Sequence, residues 1–220
     1  MIRSYFRFLL YLSVIIGFSG SIAGSYDDFF IAIKRDDAAS VRELLDRGFD
    51  PNTRSSQGQH GLYLALRESS LAVARVLLDA AATQVDARNL DGETPLMIAA
   101  LKGQVDVVQR LLARDADVNK PGWTPLHYAA SGGQEAVIRI LLDANAYIDA
   151  ESPNRTTPLM MAARYGSEGA VRVLLEAGAD PSLRNQAGLT AQQFALGVGR
   201  DRVAAMIAAA VRRQGPAGSW

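Results

Sequence analysis

The sequence predicts an all-α fold, a solenoid of about six helix-turn-helix repeats, because one seven-residue phrase recurs along the chain at a nearly fixed period. Its copies begin at Thr94, Thr124 and Thr157, and a looser copy has its threonine at Thr190. The steps between these threonines are 30, 33 and 33 residues (124 − 94, 157 − 124 and 190 − 157). A period of this size is typical of stacked supersecondary units, none of which can bury its apolar face alone.

The phrase itself predicts the start of a helix. In Thr-Pro-Leu-x-x-Ala-Ala, the threonine hydroxyl can accept a hydrogen bond from an unpaired amide of the first helical turn. Proline suits the next position because its fixed φ is helical and its missing N–H would be unpaired there. The leucine and the two alanines supply a narrow apolar face. We therefore expect the first helix of each repeat to begin directly after its threonine.

A glycine follows each phrase and predicts the end of that helix. These glycines are expected in the left-handed conformation that caps a helix end. They are Gly103, Gly133, Gly166 and Gly199. A second helix comes next and ends in paired aliphatic residues. The pairs are Leu111-Leu112, Leu141-Leu142 and Leu174-Leu175.

Two weaker repeats precede the first phrase, because the aliphatic pairs continue backwards at the same interval. Leu77-Leu78 lies 34 residues before Leu111-Leu112, and Leu44-Leu45 lies 33 residues before that. Together with the complete Thr-Pro-Leu-His-x-Ala motif at Thr124, this pattern closely resembles the ankyrin-repeat family. The resemblance implies a turn, two antiparallel helices and a connecting loop in each repeat.

Several positions depart from the repeat pattern. The first repeat opens with polar and aromatic residues at 26–30, and the last has Ala191 in the proline position, so both are expected to be end caps. His60 replaces the threonine of the second repeat, which predicts the least stable interior repeat. Asp115 and Asn145 replace a second-helix glycine at a position where left-handed geometry is expected. The 30-residue step predicts a truncated hairpin loop before Trp123.

Residues 1–23 have the layout of a secretory signal peptide. Arg3 and Arg7 give a positive start, an apolar run follows, and Ser21-Ile22-Ala23 offers small residues at a cleavage site before Gly24. The alternative is an uncleaved signal anchor. We expect a repeat domain at 25–213, a flexible tail at 214–220 and a periplasmic or secreted location.

Composition excludes several classes of partner. The chain carries 23 basic and 23 acidic residues, and without the leader's two arginines it is weakly acidic. No excess of positive charge therefore favours binding to nucleic acid, or to a membrane surface after the leader is cleaved. The chain has no cysteine, which excludes disulfides and zinc-cysteine sites. We expect a monomer that binds another protein.

The sequence shows no catalytic or metal-binding constellation. Its two histidines are His60, in a cap position, and His127, inside the phrase, where the resemblance implies a structural hydrogen bond. No zinc-protease, nucleophile-elbow, phosphate-loop or dinucleotide motif occurs. We therefore predict that the protein is not an enzyme and uses no cofactor or metal.

The resemblance implies a binding surface on the concave side, formed by hairpin tips and the ends of the first helices. Trp, Tyr and Arg are enriched at interface hot spots. Trp123, Arg164 and Tyr165 are thus the strongest candidates, although Trp123 could equally pack over the shortened loop. The predicted partner-binding residues are Arg67, Glu93, Leu101, Lys102, Trp123, Arg164 and Tyr165.

These observations favour an exported, non-catalytic protein that mediates protein–protein interaction in the bacterial envelope. Two alternatives remain open: a membrane-tethered scaffold held by an uncleaved anchor, and a secreted binder of the effector or antitoxin type. An enzyme built on the repeats would need an appended catalytic domain, for which the chain has no room.

Overall fold

The computed structural model describes residues 24–214, and all regular structure there is helical. Twelve helices form six pairs, which confirms the predicted all-α repeat fold. The only pairing of extended backbone in this part of the chain is an isolated bridge between Arg54 and His60. The predicted signal peptide at 1–23 lies outside the described residues, as do residues 215–220 of the predicted tail.

The described residues form the following helices in chain order. Their bounds are α1 (24–34), α2 (Ala38–Asp46), α3 (Gly61–Glu68), α4 (Leu71–Asp79), α5 (Pro95–Leu101), α6 (Val105–Leu112), α7 (Pro125–Ser131), α8 (Glu135–Asp143), α9 (Pro158–Tyr165), α10 (Glu168–Glu176), α11 (Ala191–Leu196) and α12 (Asp201–Gln214). The last helix therefore includes one residue of the predicted tail. None of the described helices combines the length and apolar character that crossing a membrane requires.

The chain divides into two compact units, with the boundary between Gln84 and Val85. Unit 1 contains α1–α4, and its core includes the fully buried side chains of Phe29, Leu62 and Leu77. Gly61 opens α3 beneath the Phe29 ring, where an added Cβ would lie 2.7 Å from the ring's Cζ atom. This glycine is required because the ring approaches the backbone so closely.

Unit 2 contains α5–α12 and stacks its helices in two layers. The first helices α5, α7, α9 and α11 contact one another in order, and the second helices α6, α8, α10 and α12 do the same. The alanine pairs of the phrases, such as Ala129 and Ala130, have no exposed surface. Their small side chains let neighbouring first helices approach closely, as the sequence predicts.

Three of the four threonine caps form as predicted, whereas the Thr124 hydroxyl supplies no side-chain cap and lies 2.9 Å from Nδ1 of His127. The hydroxyl oxygen of Thr94 accepts a hydrogen bond from the amide of Met97 at 3.3 Å, and that of Thr157 accepts from Met160 at 3.4 Å. Thr190, which precedes alanine rather than proline, caps α11 in the same way. The phrase therefore determines where the first helices begin.

Three of the four inter-helix glycines are left-handed, and the prediction for the fourth is wrong. The φ angles of Gly103, Gly133 and Gly199 are 68°, 68° and 71°, whereas Gly166 has a φ of −78°. A Cβ on Gly166 would overlap the carbonyl oxygen of Ala130. Glycine is therefore needed there for close approach between repeats. Left-handed geometry does occur at the predicted non-glycine positions, Asp115 and Asn145 among them.

The residues after Gly133, Gly166 and Gly199 each connect their repeat to the preceding one. The side-chain amide of Gln134 donates a hydrogen bond to the carbonyl oxygen of Leu101 at 3.2 Å. The hydroxyl of Ser167 donates to the carbonyl oxygen of Gly133 at 3.1 Å. Arg200 donates to two carbonyl oxygens at the end of α9, at 3.0 and 2.9 Å. These hydrogen bonds give carbonyl groups near the helix ends of one repeat a donor from the next repeat. They therefore stabilise the contact between the two repeats.

Candidate functional site

The shortened loop before Trp123 is closed by a side chain. In the full-length hairpin loops of unit 2, a backbone amide donates to the carbonyl oxygen of the residue before the threonine, as Asn89 does to Glu93 at 3.0 Å. In the short loop, the Lys120 ammonium donates to the equivalent carbonyl oxygen of Trp123 at 3.2 Å. Lys120 is 9% exposed, and burial lowers the pKa of its ammonium group. The lysine thus replaces the hydrogen bond that the missing residues would have supplied.

A pocket of about 250 Å³ lies beside this loop, wholly within unit 2. Its lining is mainly apolar and comes from three successive first helices and the short loop. The lining residues are Leu101, Trp123, His127, Tyr128, Ser131 and Met161. This pocket, called here the Trp123 pocket, combines a half-buried indole with aliphatic, thioether and phenol groups. Such a lining is suited to binding a large apolar side chain.

His127 lines the Trp123 pocket and joins two repeats. Its Nδ1 accepts a hydrogen bond from the Thr124 amide at 3.2 Å, so its Nε2 carries the proton and donates to the Thr156 carbonyl oxygen at 2.8 Å. Burial lowers the pKa of the imidazole from 6.5 to about 4. The Trp123 ring contacts it edge to face, with 5.2 Å between centroids. His127 therefore has the structural role that the sequence indicates, and it also orients the indole.

Trp123 fits both interpretations of the sequence. It packs on His127 at the short loop, and it also presents surface to the pocket. Because the indole is only half-buried, packing and binding are compatible roles for it.

Glu93 lies on the hairpin-loop side of the pocket. Its carboxylate accepts hydrogen bonds from the Tyr128 hydroxyl at 2.8 Å and from the Asn89 side-chain amide at 2.9 Å. These bonds fix the phenol ring of Tyr128, which lines the pocket. Glu93 therefore contributes negative charge at this edge and holds one wall of the pocket in place.

Two predicted basic residues lie close in sequence to lining residues, since Lys102 follows Leu101 and Arg164 comes three residues after Met161. Lys102 follows α5 and is exposed, and Arg164 is exposed near the end of α9. The Arg164 guanidinium lies 5.2 Å from the centroid of the Tyr165 ring, and Tyr165 is 59% exposed. Arg164 and Ser131 occupy equivalent positions, each seven residues after its threonine, in adjacent repeats. The predicted residues of unit 2 thus include two in the pocket lining, Leu101 and Trp123, while the others lie in the repeats that form it.

Arg67 is the predicted binding residue that belongs to unit 1. It lines a different groove, of about 550 Å³, together with Tyr26, Ile31 and Gln59 among others. Its guanidinium pairs with the adjacent Glu68 carboxylate at 2.9 Å. The lining of this groove mixes apolar, amide and oppositely charged groups.

The predicted binding residues omit four that line the Trp123 pocket: His127, Tyr128, Ser131 and Met161. The sequence indicates a structural role for His127, which lies within the phrase. Tyr128 and Met161 also lie within the phrase. Both follow their threonine by four residues, at the position where the phrase varies most. That variability is the signal in the sequence that marks this position.

No group of three or more histidine, aspartate or glutamate side chains within residues 24–214 is arranged to hold a metal ion. His60 is 6% exposed, and neither of its ring nitrogens has a hydrogen-bond partner. It occupies the cap position of α3 without supplying a side-chain cap.

Comparison with known proteins agrees with this architecture. The family model for ankyrin repeats (3 copies) matches residues 29–121 and 115–185. Human neurogenic locus notch homolog protein 4 is 40% identical over 78 residues, which is 36% of this chain and 4% of that protein. The Neurogenic locus Notch protein of Drosophila melanogaster is 39% identical over 81 residues, or 37% of this chain and 3% of that protein. Human neurogenic locus notch homolog protein 2 is 34% identical over 89 residues, which is 40% of this chain and 4% of that protein.

The chain thus spans only a few per cent of the length of these relatives, and the likeness concerns the repeats alone. The family model, in contrast, matches well over half of the present chain. Its repeats have the caps, helix pairs and stacking described above. This chain therefore belongs to the ankyrin-repeat family, whose repeats mediate protein–protein interaction.

Proposed function

We propose that the protein is an exported, non-catalytic adaptor that holds another protein at the Trp123 pocket. The observation that carries this proposal is the pocket itself, of about 250 Å³ with a mainly apolar lining, in a repeat array whose next helix turn carries the exposed Arg164 and Tyr165. Binding hot spots are commonly a few aromatic and arginine residues around a site that excludes water. The Trp123 pocket is lined by one tryptophan and one tyrosine, and Arg164 lies one helical turn after the lining residue Met161 on α9.

Export is supported by the sequence of the leader. The positive start, the apolar run and the small residues before Gly24 are typical of a cleaved signal peptide, which would deliver the protein to the periplasm or the exterior of a bacterial cell. Edman sequencing of the mature protein from its native source should begin at Gly24. A first residue at Met1 would instead support the alternative, a scaffold tethered to the membrane.

The binding role predicts that two single substitutions weaken partner capture without unfolding the protein. Trp123→Ala removes the largest apolar surface of the pocket, and Arg164→Ala removes the adjacent cation. Each should reduce crosslinked capture from a native envelope extract by roughly tenfold or more, since hot-spot truncations cost about 2 kcal/mol or more. Capture is measured by quantitative mass spectrometry.

Arg172→Ala is the matched control, because Arg172 is an exposed arginine of the second helix α10. Circular dichroism should show equal helix content in all variants. If Trp123→Ala and Arg164→Ala both retain the capture level of the unaltered protein, the assignment of the site is wrong.

A further inference from the structure

The Trp123 pocket is electrically asymmetric. On its hairpin-loop side, Glu93 places a carboxylate that already accepts bonds from Tyr128 and Asn89. On its helix-end side, Arg164 is exposed and stacks beside Tyr165. Glu93 is thus bonded to the lining residue Tyr128, whereas Arg164 is on the same helix as the lining residue Met161, and opposite charges at such positions favour a ligand with a defined charge order.

The arginine has unused hydrogen-bonding capacity. None of the ion pairs between described residues involves Arg164. A guanidinium presents a planar fork of N–H donors that matches a carboxylate in two-point geometry. Arg164 lies three residues after the lining residue Met161 on α9, so the two side chains are neighbours on that helix.

The size of the pocket limits the apolar part of the ligand. A volume of about 250 Å³ corresponds to roughly eight water-sized volumes of about 30 Å³ each, enough for one large side chain and too small for a helix. The indole, thioether and leucine groups of the lining favour an aliphatic or aromatic side chain there.

We propose that the Trp123 pocket recognises an acidic peptide segment of the partner, in which one large apolar side chain enters the pocket and a neighbouring Asp or Glu pairs with Arg164. This inference rests on the proposed binding function and specifies the chemistry of the ligand. The same geometry disfavours a basic residue at the Arg164 edge, because like charges would then face each other.

The test uses a displayed library of random short peptides, selected against the full protein. Enriched peptides should share a large apolar residue with an Asp or Glu within a few positions of it. Selection against Arg164→Glu should replace that acidic residue by Lys or Arg. A representative acidic peptide should bind Arg164→Glu about tenfold or more weakly, because like charges at an interface are strongly unfavourable.

Arg172→Glu is the control for net charge, since it makes the same change on α10, away from the pocket residues, and should leave the selected motif unaltered. Enriched peptides without an acidic preference, or the same motif for Arg164→Glu, would overturn the proposed chemistry. If no peptide is enriched, recognition of a linear segment is also wrong. In each of these cases, loss of envelope capture by Trp123→Ala would still support the adaptor function.

Discussion

At the scale of single residues, His127 connects scaffold and site. Its ring nitrogens join Thr124 to Thr156, and its ring face orients Trp123. Because both hydrogen bonds require the neutral Nε2–H form, protonation would break the bond at Nδ1 and place a charge in a buried position. The stability of unit 2 should therefore depend on the charge of this residue.

We expect unit 2 to lose stability as the pH falls from about 6.5 towards 4. The folded-state pKa of His127 is lowered from 6.5 to about 4, so the unfolded chain binds a proton first in this range. The full contribution is present above about pH 6.5, and the loss by pH 4 is about 3 kcal/mol at 1.4 kcal/mol per pKa unit.

Urea unfolding followed by tryptophan fluorescence measures this dependence. Trp220→Phe leaves Trp123 as the single tryptophan and so reports on unit 2. His127→Gln, made in that background, should be less stable near neutral pH and should have a flatter pH profile. An equally steep profile in both proteins would show that other groups titrate instead.

At the scale of elements, the second repeat lacks the stabilising features of its neighbours. Its α3 begins after His60, which supplies no side-chain cap and keeps both ring nitrogens unpaired in a buried position. Burial also lowers the pKa of this imidazole, so acid should weaken the repeat further. Its helix α3 nevertheless contains a buried run of mainly apolar residues at 62–66.

His60→Thr should stabilise the second repeat by restoring the threonine cap. We expect a gain of about 1 kcal/mol relative to His60→Ala, which removes the imidazole without adding a cap. Amide hydrogen exchange of α3 measures the difference, with α5 as the internal reference. Equal protection of α3 in the Thr and Ala variants would mean that the cap is not what this repeat lacks.

The sequence predicts the helices well because their signals are local. In α5, α7 and α9, a threonine, a proline and a glycine at nearly fixed spacing indicate where the helix begins and ends. The extended Gly166 and the buried Lys120 were not predictable, because each depends on a neighbouring segment. The inclusion of Tyr128 and Met161 in the pocket depends on how adjacent first helices align, which the period alone does not reveal.

At the scale of the molecule, the first and second helices of the repeats have different roles. Second helices supply the outer layer of unit 2, while positions of the first helices that vary between phrases shape the Trp123 pocket. The same scaffold residues can therefore be kept while the partner changes, as expected for a fold that serves many binding functions.

The most direct test of this account is site-specific photo-crosslinking. The chain has no cysteine, so Ser131→Cys places a unique thiol in the Trp123 pocket and Arg139→Cys places one on an exposed position of α8. Each is labelled with the same photoreactive maleimide and irradiated in the native envelope extract. The account predicts a discrete protein adduct from Ser131→Cys that is absent from Arg139→Cys. Equal adducts from both positions, or an adduct from Arg139→Cys alone, would contradict it.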